Sequence, residues 1–278
     1  MAKDVIYDSA RRIHPALEEL RELINYRELI LQLVRRDVLT RYKRSVLGVA
    51  WTLLNPLGMM LVLTLAFSQI LRFNTVYGYA AFVLSGLIVW NFFSQSTTAA
   101  MVNLVWGGGL LSRIYIPRAS FALAAIGTAM VNILLALIPL LVVNLITGVP
   151  ITPAFLFVPV PLLLLACFSL GLGLLISTIA VYFPDIAEMY QIVLSAWFYL
   201  TPIIYPLDAL PEALQFWIKL NPMYYLLELF RLSVYYGRLP SWAELQPALI
   251  ISILTLILGW VIFSNKSDEF GYRIRRIV

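Results

Sequence analysis

Charge is scarce in this sequence, and its scarcity decides most of the reading. Of 278 residues only 13% are charged and 61% are hydrophobic, where a soluble domain carries about 25% charged residues. The mean hydropathy is +0.86. One cysteine, Cys167, excludes a disulfide within the chain and argues against a thiolate metal site. One histidine, His14, sits in a polar leader, where a surface role fits better than a catalytic one. No GxxxxGK[ST] phosphate loop is present, nor a metal-ligand cluster, nor a Ser/His/Asp set. Residues 1–44 hold no uninterrupted apolar core of a signal peptide, so the spans themselves are expected to drive insertion.

Where charges are missing, spans can be placed. Asp, Glu, Lys and Arg are absent between Arg44 and Arg72, between Arg72 and Arg113, and between Arg118 and Asp185. They are absent again between Glu188 and Asp208 and between Glu244 and Lys266. The run GVPITP, Gly148–Pro153, divides the third stretch with a tight turn. A helix crosses the hydrocarbon with ~20 apolar residues. An all-α polytopic membrane protein of six spans is therefore expected, at about 46–71, 79–105, 120–147, 154–182, 188–205 and 245–265. Residues 1–45 form a leader and 266–278 a basic tail. Sixteen of the twenty basic residues fall on the side of the termini, and four (Arg72, Lys219, Arg231, Arg238) on the other. Basic loops stay cytoplasmic, which predicts both termini inside.

These absences also bear on energy. Ion-coupled carriers keep ionisable groups within their spans, and inverted carrier-type repeats are not evident here. If this chain moves something uphill, the energy is expected to enter through another polypeptide.

Four segments outside the spans stand out. In the leader, Ile13, Leu17, Leu20 and Ile24 recur at helical spacing, as do Leu29, Leu33 and Val38. That pattern predicts an amphipathic helix in the headgroup plane. It runs into a basic cluster (Arg35, Arg36, Arg41, Lys43, Arg44) that suits anionic headgroups or a phosphate-bearing substrate, or simply obeys the charge rule for topology. The loop WGGGLLSRIYIPRAS, Trp106–Ser120, is short, basic and glycine-rich: a docking element or a plain turn. In FPDIAEMY, Asp185 and Glu188 have the spacing of a helix-capping box.

The fourth segment spans residues 200–240, on the outer side. Its LTPIIYPLDALPEALQFWIKLNPMYY is too broken to cross a bilayer and too apolar for an ordinary loop. Half-helices at about 211–219 and 222–236 are expected, with Asn221 as N-cap and Pro211 and Pro222 at the starts. A re-entrant pair is the simplest arrangement, since irregular backbone at membrane depth must be buried in protein or line a cavity. A surface amphipathic helix is the alternative. Pro202, Pro206, Pro211 and Pro222 are the candidate hinges of an outer gate.

YRELI (Tyr26–Ile30), RRDVLTRYKRSVLGVAWTLLNP (Arg35–Pro56), SRIYIPRA (Ser112–Ala119) and TPIIYPLDALPEALQFWIKLNPMYYLLELFR (Thr201–Arg231) together resemble the ABC-2 type permeases of O-antigen, capsule and teichoic acid exporters. The resemblance runs from about residue 25 to the C-terminus. It implies a homodimer bound to two copies of a cytoplasmic ATP-binding subunit, which hold the ATP and magnesium, and no cofactor in this chain. The cargo implied is a polysaccharide joined to polyprenyl pyrophosphate. The leader becomes an interface helix on the ATP-binding subunit. Arg113, Ile114, Tyr115, Ile116, Pro117 and Arg118 become the coupling element, and Arg41, Lys43 and Arg44 hold the pyrophosphate. Pro184 stands where the family often has arginine, so no role carries over there.

A glycan needs a hydrated path with flat faces for sugar stacking. Trp90, Phe92, Phe93, Trp197, Phe198, Tyr199 and Tyr205 are candidate lining residues, although Trp and Tyr also gather at membrane interfaces. Asn55, before the kinking Pro56, joins them. Two other readings stand beside this one: an ABC-2 exporter of a drug or small amphiphile, and a membrane-embedded glycosyl- or acyltransferase. The second should show acids or histidines within the spans, and the sequence has none.

Overall fold

A computed structural model describes residues 15–43, 48, 50–71, 75, 77–105 and 116–274. The described residues are helical, joined by turns, with no strand among them. The helices are α1 (Pro15–Asn25), α2 (Arg27–Lys43), α3 (Ala50–Leu71), α4 (Tyr79–Val105) and α5 (Ala119–Thr147). After a 3-10 turn at Pro153–Phe157 come α6 (Pro159–Tyr182), α7 (Ile186–Leu200), α8 (Glu212–Lys219), α9 (Pro222–Val234) and α10 (Trp242–Ile274).

Four of these helices contain segments long and apolar enough to cross a membrane: Ala50–Phe67, Ala119–Thr147, Pro153–Tyr182 and Trp242–Ser267. The expected second span falls on α4, which has the length but carries Asn91, Gln95 and Asn103 among many Ser and Thr. The expected fifth span falls on α7, a helix of 15 residues, shorter than the ~20 needed to cross unaided.

The core is built around α4, which packs on α5 and α6 and buries most of its side chains. The most extensive contact joins α6 to α10. There Gly171 and Gly259 bring the two backbones together, and a Cβ on either would collide with main-chain atoms of the other helix. Small residues at such crossings are how membrane helices gain close van der Waals contact. The leader lies against the bundle: α2 packs on α5, with Gly127 making room for Val34, and Leu23 of α1 is buried while Leu17, Leu20 and Ile24 are exposed.

The cap on the long C-terminal helix corrects one sequence reading. Asp185 precedes α7 with helical backbone angles (φ −61, ψ −18) and makes no side-chain cap. The amides of Ile186, Ala187 and Glu188 already donate to the carbonyls of Phe183, Pro184 and Asp185, so no orphan donor is left for the carboxylate. The carboxylate half of such a box lies instead at the start of α10. Glu244 accepts from the Ser241 backbone N–H at 2.8 Å and pairs with Arg238. Its carboxylate takes the Ser241 hydroxyl as well.

Candidate functional site

Two cavities open along one side of α4 and share three wall residues, Gln95, Ala129 and Asn132. The first, about 430 Å³, lies between α3, α4 and α5 and is lined by Trp51, Thr52, Asn55, Asn91 and Phe92 among others. The second, about 570 Å³, continues to α2, where Arg36, Asp37 and Thr40 form its wall opposite Asn103 and Thr128. They form one polar cleft, and its periodicity explains it. Asn91, Gln95, Ala99 and Asn103 succeed each other every four residues and so share one face of α4. At 1.5 Å per residue the stripe runs about 18 Å. Opposite it, α5 presents Ala125, Ala129 and Ala136, whose small side chains leave the space open.

Of the expected lining residues, Asn55 and Phe92 are walls of this cleft. Trp90 and Phe93 lie inside the protomer in an aromatic cluster with Phe168, Trp197 and Phe198. Phe93 stacks on Phe168 at 5.7 Å and meets Trp197 edge-on at 5.1 Å, while Trp90 meets Phe198 at 5.6 Å. Phe93 is 0% exposed and offers no surface to a passing ligand. Tyr199 is exposed, and Tyr205 is half-buried with its hydroxyl donating to the Tyr199 carbonyl at 2.8 Å.

Behind this cluster, the irregular segment Thr201–Ile204 is buried, and its backbone carbonyls need donors. Arg231 of α9, 1% exposed, donates to the carbonyls of Pro202 (2.7 Å) and Ile203 (2.9 Å). It also reaches Phe82 and Ser85 of α4, with its guanidinium 3.6 Å above the Phe82 ring. Gly86 leaves the room this requires. The Tyr79 hydroxyl donates to the Ile204 carbonyl at 2.6 Å. Asn221 caps α9 by accepting from the Met223 amide, accepts from Trp197 Nε1, and donates to Leu200 and Thr201. Of the four expected hinge prolines, Pro202 is held by this network. Pro206 and Pro222 are half-buried, and Pro211 is exposed ahead of α8. Leu214, Phe216 and Trp217 of that helix are exposed too.

At the opposite end of the bundle, where α4 stops and α5 starts, side chains tie the leader to the spans. Buried Glu19 of α1 accepts the Ala119 N–H at the first turn of α5 (3.3 Å). Trp260 of α10 donates to the Ala16 carbonyl at 3.0 Å. Arg118 donates to the Ser267 carbonyl, and Ile116 and Pro117 are buried beside it. Arg113, Ile114, Tyr115 and Arg44 lie outside the described residues. Arg41 and Lys43 lie on the last turn of α2, with side chains outside the described atoms.

A family model described as ABC-2 type transporter matches residues 28–235, from the first turn of α2 to just beyond α9. The chain belongs to the ABC-2 type transporter family. It is similar to the O-antigen export system permease protein RfbA of Myxococcus xanthus, 31% identical over 260 residues, which cover 92% of this chain and 98% of that protein. The polysialic acid transport protein KpsM of Escherichia coli is 24% identical over 84% of this chain and 91% of its own length. The capsule polysaccharide export inner-membrane protein CtrC of Neisseria meningitidis serogroup A is 24% identical over 89% and 94%.

In this ABC-2 chain the sequence pointed to the family but not to the amide stripe or to Arg231. A map of acidic and basic residues does not register Asn and Gln. The available signal is an Asn-Gln pair at i, i+4 in an uncharged run, with Asn103 two turns further on. By charge alone Arg231 reads as a loop cation, because its acceptors are carbonyls brought to it by tertiary folding.

Proposed function

We propose that this chain is the membrane permease of an ATP-driven exporter that moves a lipid-linked polysaccharide across the bacterial inner membrane from its cytoplasmic side. It is a transport permease, not an enzyme. The observation that carries the reading is that three kinds of polysaccharide permease, for O-antigen, polysialic acid and capsule, align along nearly their whole length with this chain. A polar cleft in a chain otherwise this apolar fits a hydroxyl-rich cargo better than a drug-like amphiphile.

In this reading the chain crosses the membrane six times with both termini cytoplasmic. The polar α4 crosses because other helices wrap it, and α7 completes its crossing with the buried Thr201–Ile204 segment, with α8 and α9 as re-entrant half-helices. Two copies pair through apolar faces left uncovered in one protomer, Leu61, Val62 and Leu65 on α3 and Ile192 and Val193 on α7. Two ATP-binding subunits supply ATP and magnesium. They dock on the leader and on Arg113–Arg118, and the Glu19–Ala119 and Arg118–Ser267 bonds carry their movement into α5 and α10. Arg41, Lys43 and Arg44 meet the pyrophosphate. The outer gate moves through α8 and Pro211, since Pro202 is locked by Arg231.

Deleting the gene tests this reading. Surface polysaccharide is expected to disappear while lipid-linked polymer accumulates in the cytoplasm, and restoring the chain should reverse both. Normal surface polysaccharide in the deletion strain, with a changed drug tolerance instead, would favour the small-amphiphile reading.

A further inference from the structure

We propose that the cleft between α2, α3, α4 and α5 is a carbohydrate-binding groove within each protomer, holding uncharged sugar units of the polymer by their hydroxyl groups. This deepens the polysaccharide reading above and rests on it.

The first argument is unmet hydrogen bonding. Among the described residues, the carboxamides of Asn55, Asn91, Gln95 and Asn103 have no side-chain hydrogen-bond partner. Thr128, at 8% exposure and on the wall of the second cavity, has an unpartnered buried hydroxyl. An amide or hydroxyl left without a partner in an apolar medium costs about 2–7 kcal/mol. Lipid tails therefore cannot be the groove's natural filling, and water or a hydroxylated ligand can.

The second argument is charge. At the α2 end Arg36 is spent on Asp37 through two contacts at 3.0 and 2.8 Å, so the pair is neutral. Among the described residues the rest of the wall is amide, hydroxyl and hydrocarbon. A phosphate would call for free cations or convergent N–H groups, whereas a carboxamide offers both donor and acceptor and so matches a sugar hydroxyl, which also does both. Trp51 and Phe92 add flat faces in the first cavity. The third argument is size. Both cavities fall within the ~300–1,000 Å³ of small-molecule sites, and their shared wall at Gln95, Ala129 and Asn132 makes them a track for successive units rather than a closed pocket.

Two measurements test the groove in the deletion strain. The double variant Asn91→Leu, Gln95→Leu keeps side chains of similar length and removes the hydrogen-bonding groups. It is expected to lower export at least tenfold, with membrane level and ATP hydrolysis in the assembled complex near wild type. The second uses Gln95→Cys with Cys167→Ser. A small charged methanethiosulfonate should label position 95 at least fivefold more slowly in cells making the lipid-linked polymer than in cells whose polymer synthesis is blocked at its first sugar. Equal labelling in the two backgrounds while export proceeds, or wild-type export by the double leucine variant, would overturn the groove. If the double variant does not accumulate, the labelling comparison decides alone. Failure of the permease reading looks different, because the deletion strain would then keep its surface polymer.

Discussion

Arg231→Met should remove most of the folded exporter from the membrane. The substitution keeps an unbranched side chain of comparable reach but leaves the Pro202 and Ile203 carbonyls without their donor. Each buried polar group so stranded costs about 1–3 kcal/mol, so the pair loses about 2–6 kcal/mol against a total stability of ~5–15 kcal/mol for an ordinary domain. The segment freed is the one that joins α7 to α8 and α9, so surface polysaccharide should fall with the protein. Arg231→Lys should rescue only in part. A compact ammonium has donors enough but not the planar fork that spans two carbonyls and the Ser85 hydroxyl together. Thermal unfolding of the detergent-solubilised chain reads the effect, and a wild-type midpoint for Arg231→Met would refute this account of the loop.

The crossing of α6 and α10 should be equally intolerant. Gly171→Leu or Gly259→Leu drives a branched side chain into the main chain of the facing helix, where nothing flexible can move aside. Overpacking typically costs 1–3 kcal/mol, and separating two backbones should reach the top of that range, about 3 kcal/mol. Gly58→Ala on α3 is the control. Within one protomer a Cβ there meets nothing within 4 Å, and alanine is favoured over glycine inside a helix by roughly 0.5–1 kcal/mol. The comparison is made on the monomeric chain, where the face shared with Leu61, Val62 and Leu65 is uncovered. Its unfolding midpoint should hold or rise while the two leucine variants fall sharply. Equal behaviour of all three would remove the close crossing from the account.

Much of this could be read from the sequence, because length and charge spacing are local properties. The uncharged runs coincide with helices at Ala50–Leu71 and Ala119–Thr147, and the Asn221 cap with Pro222 behind it is as expected. What eluded the sequence depends on contacts between distant residues. By sequence Phe93 reads as a candidate lining residue, because composition cannot say which side of a helix faces inward. Asp185-x-x-Glu188 and Ser241-x-x-Glu244 have the same spacing, and only the second caps, because backbone angles and competing carbonyls decide. The amide cleft needs four helices to exist at all. Each amide alone is an ordinary polar residue, and only their shared face on α4 makes them a site.

The central claim is that this chain is the path and another subunit the motor. Inside-out membrane vesicles carrying labelled lipid-linked polymer on their outer face test it most directly. With this chain and its ATP-binding subunit present, adding ATP should carry the polymer inward, where an added glycosidase cannot cut it. Omitting the chain, the partner or ATP should leave the polymer digestible. Protection that develops without this chain, or with the chain alone and no ATP, would contradict the account.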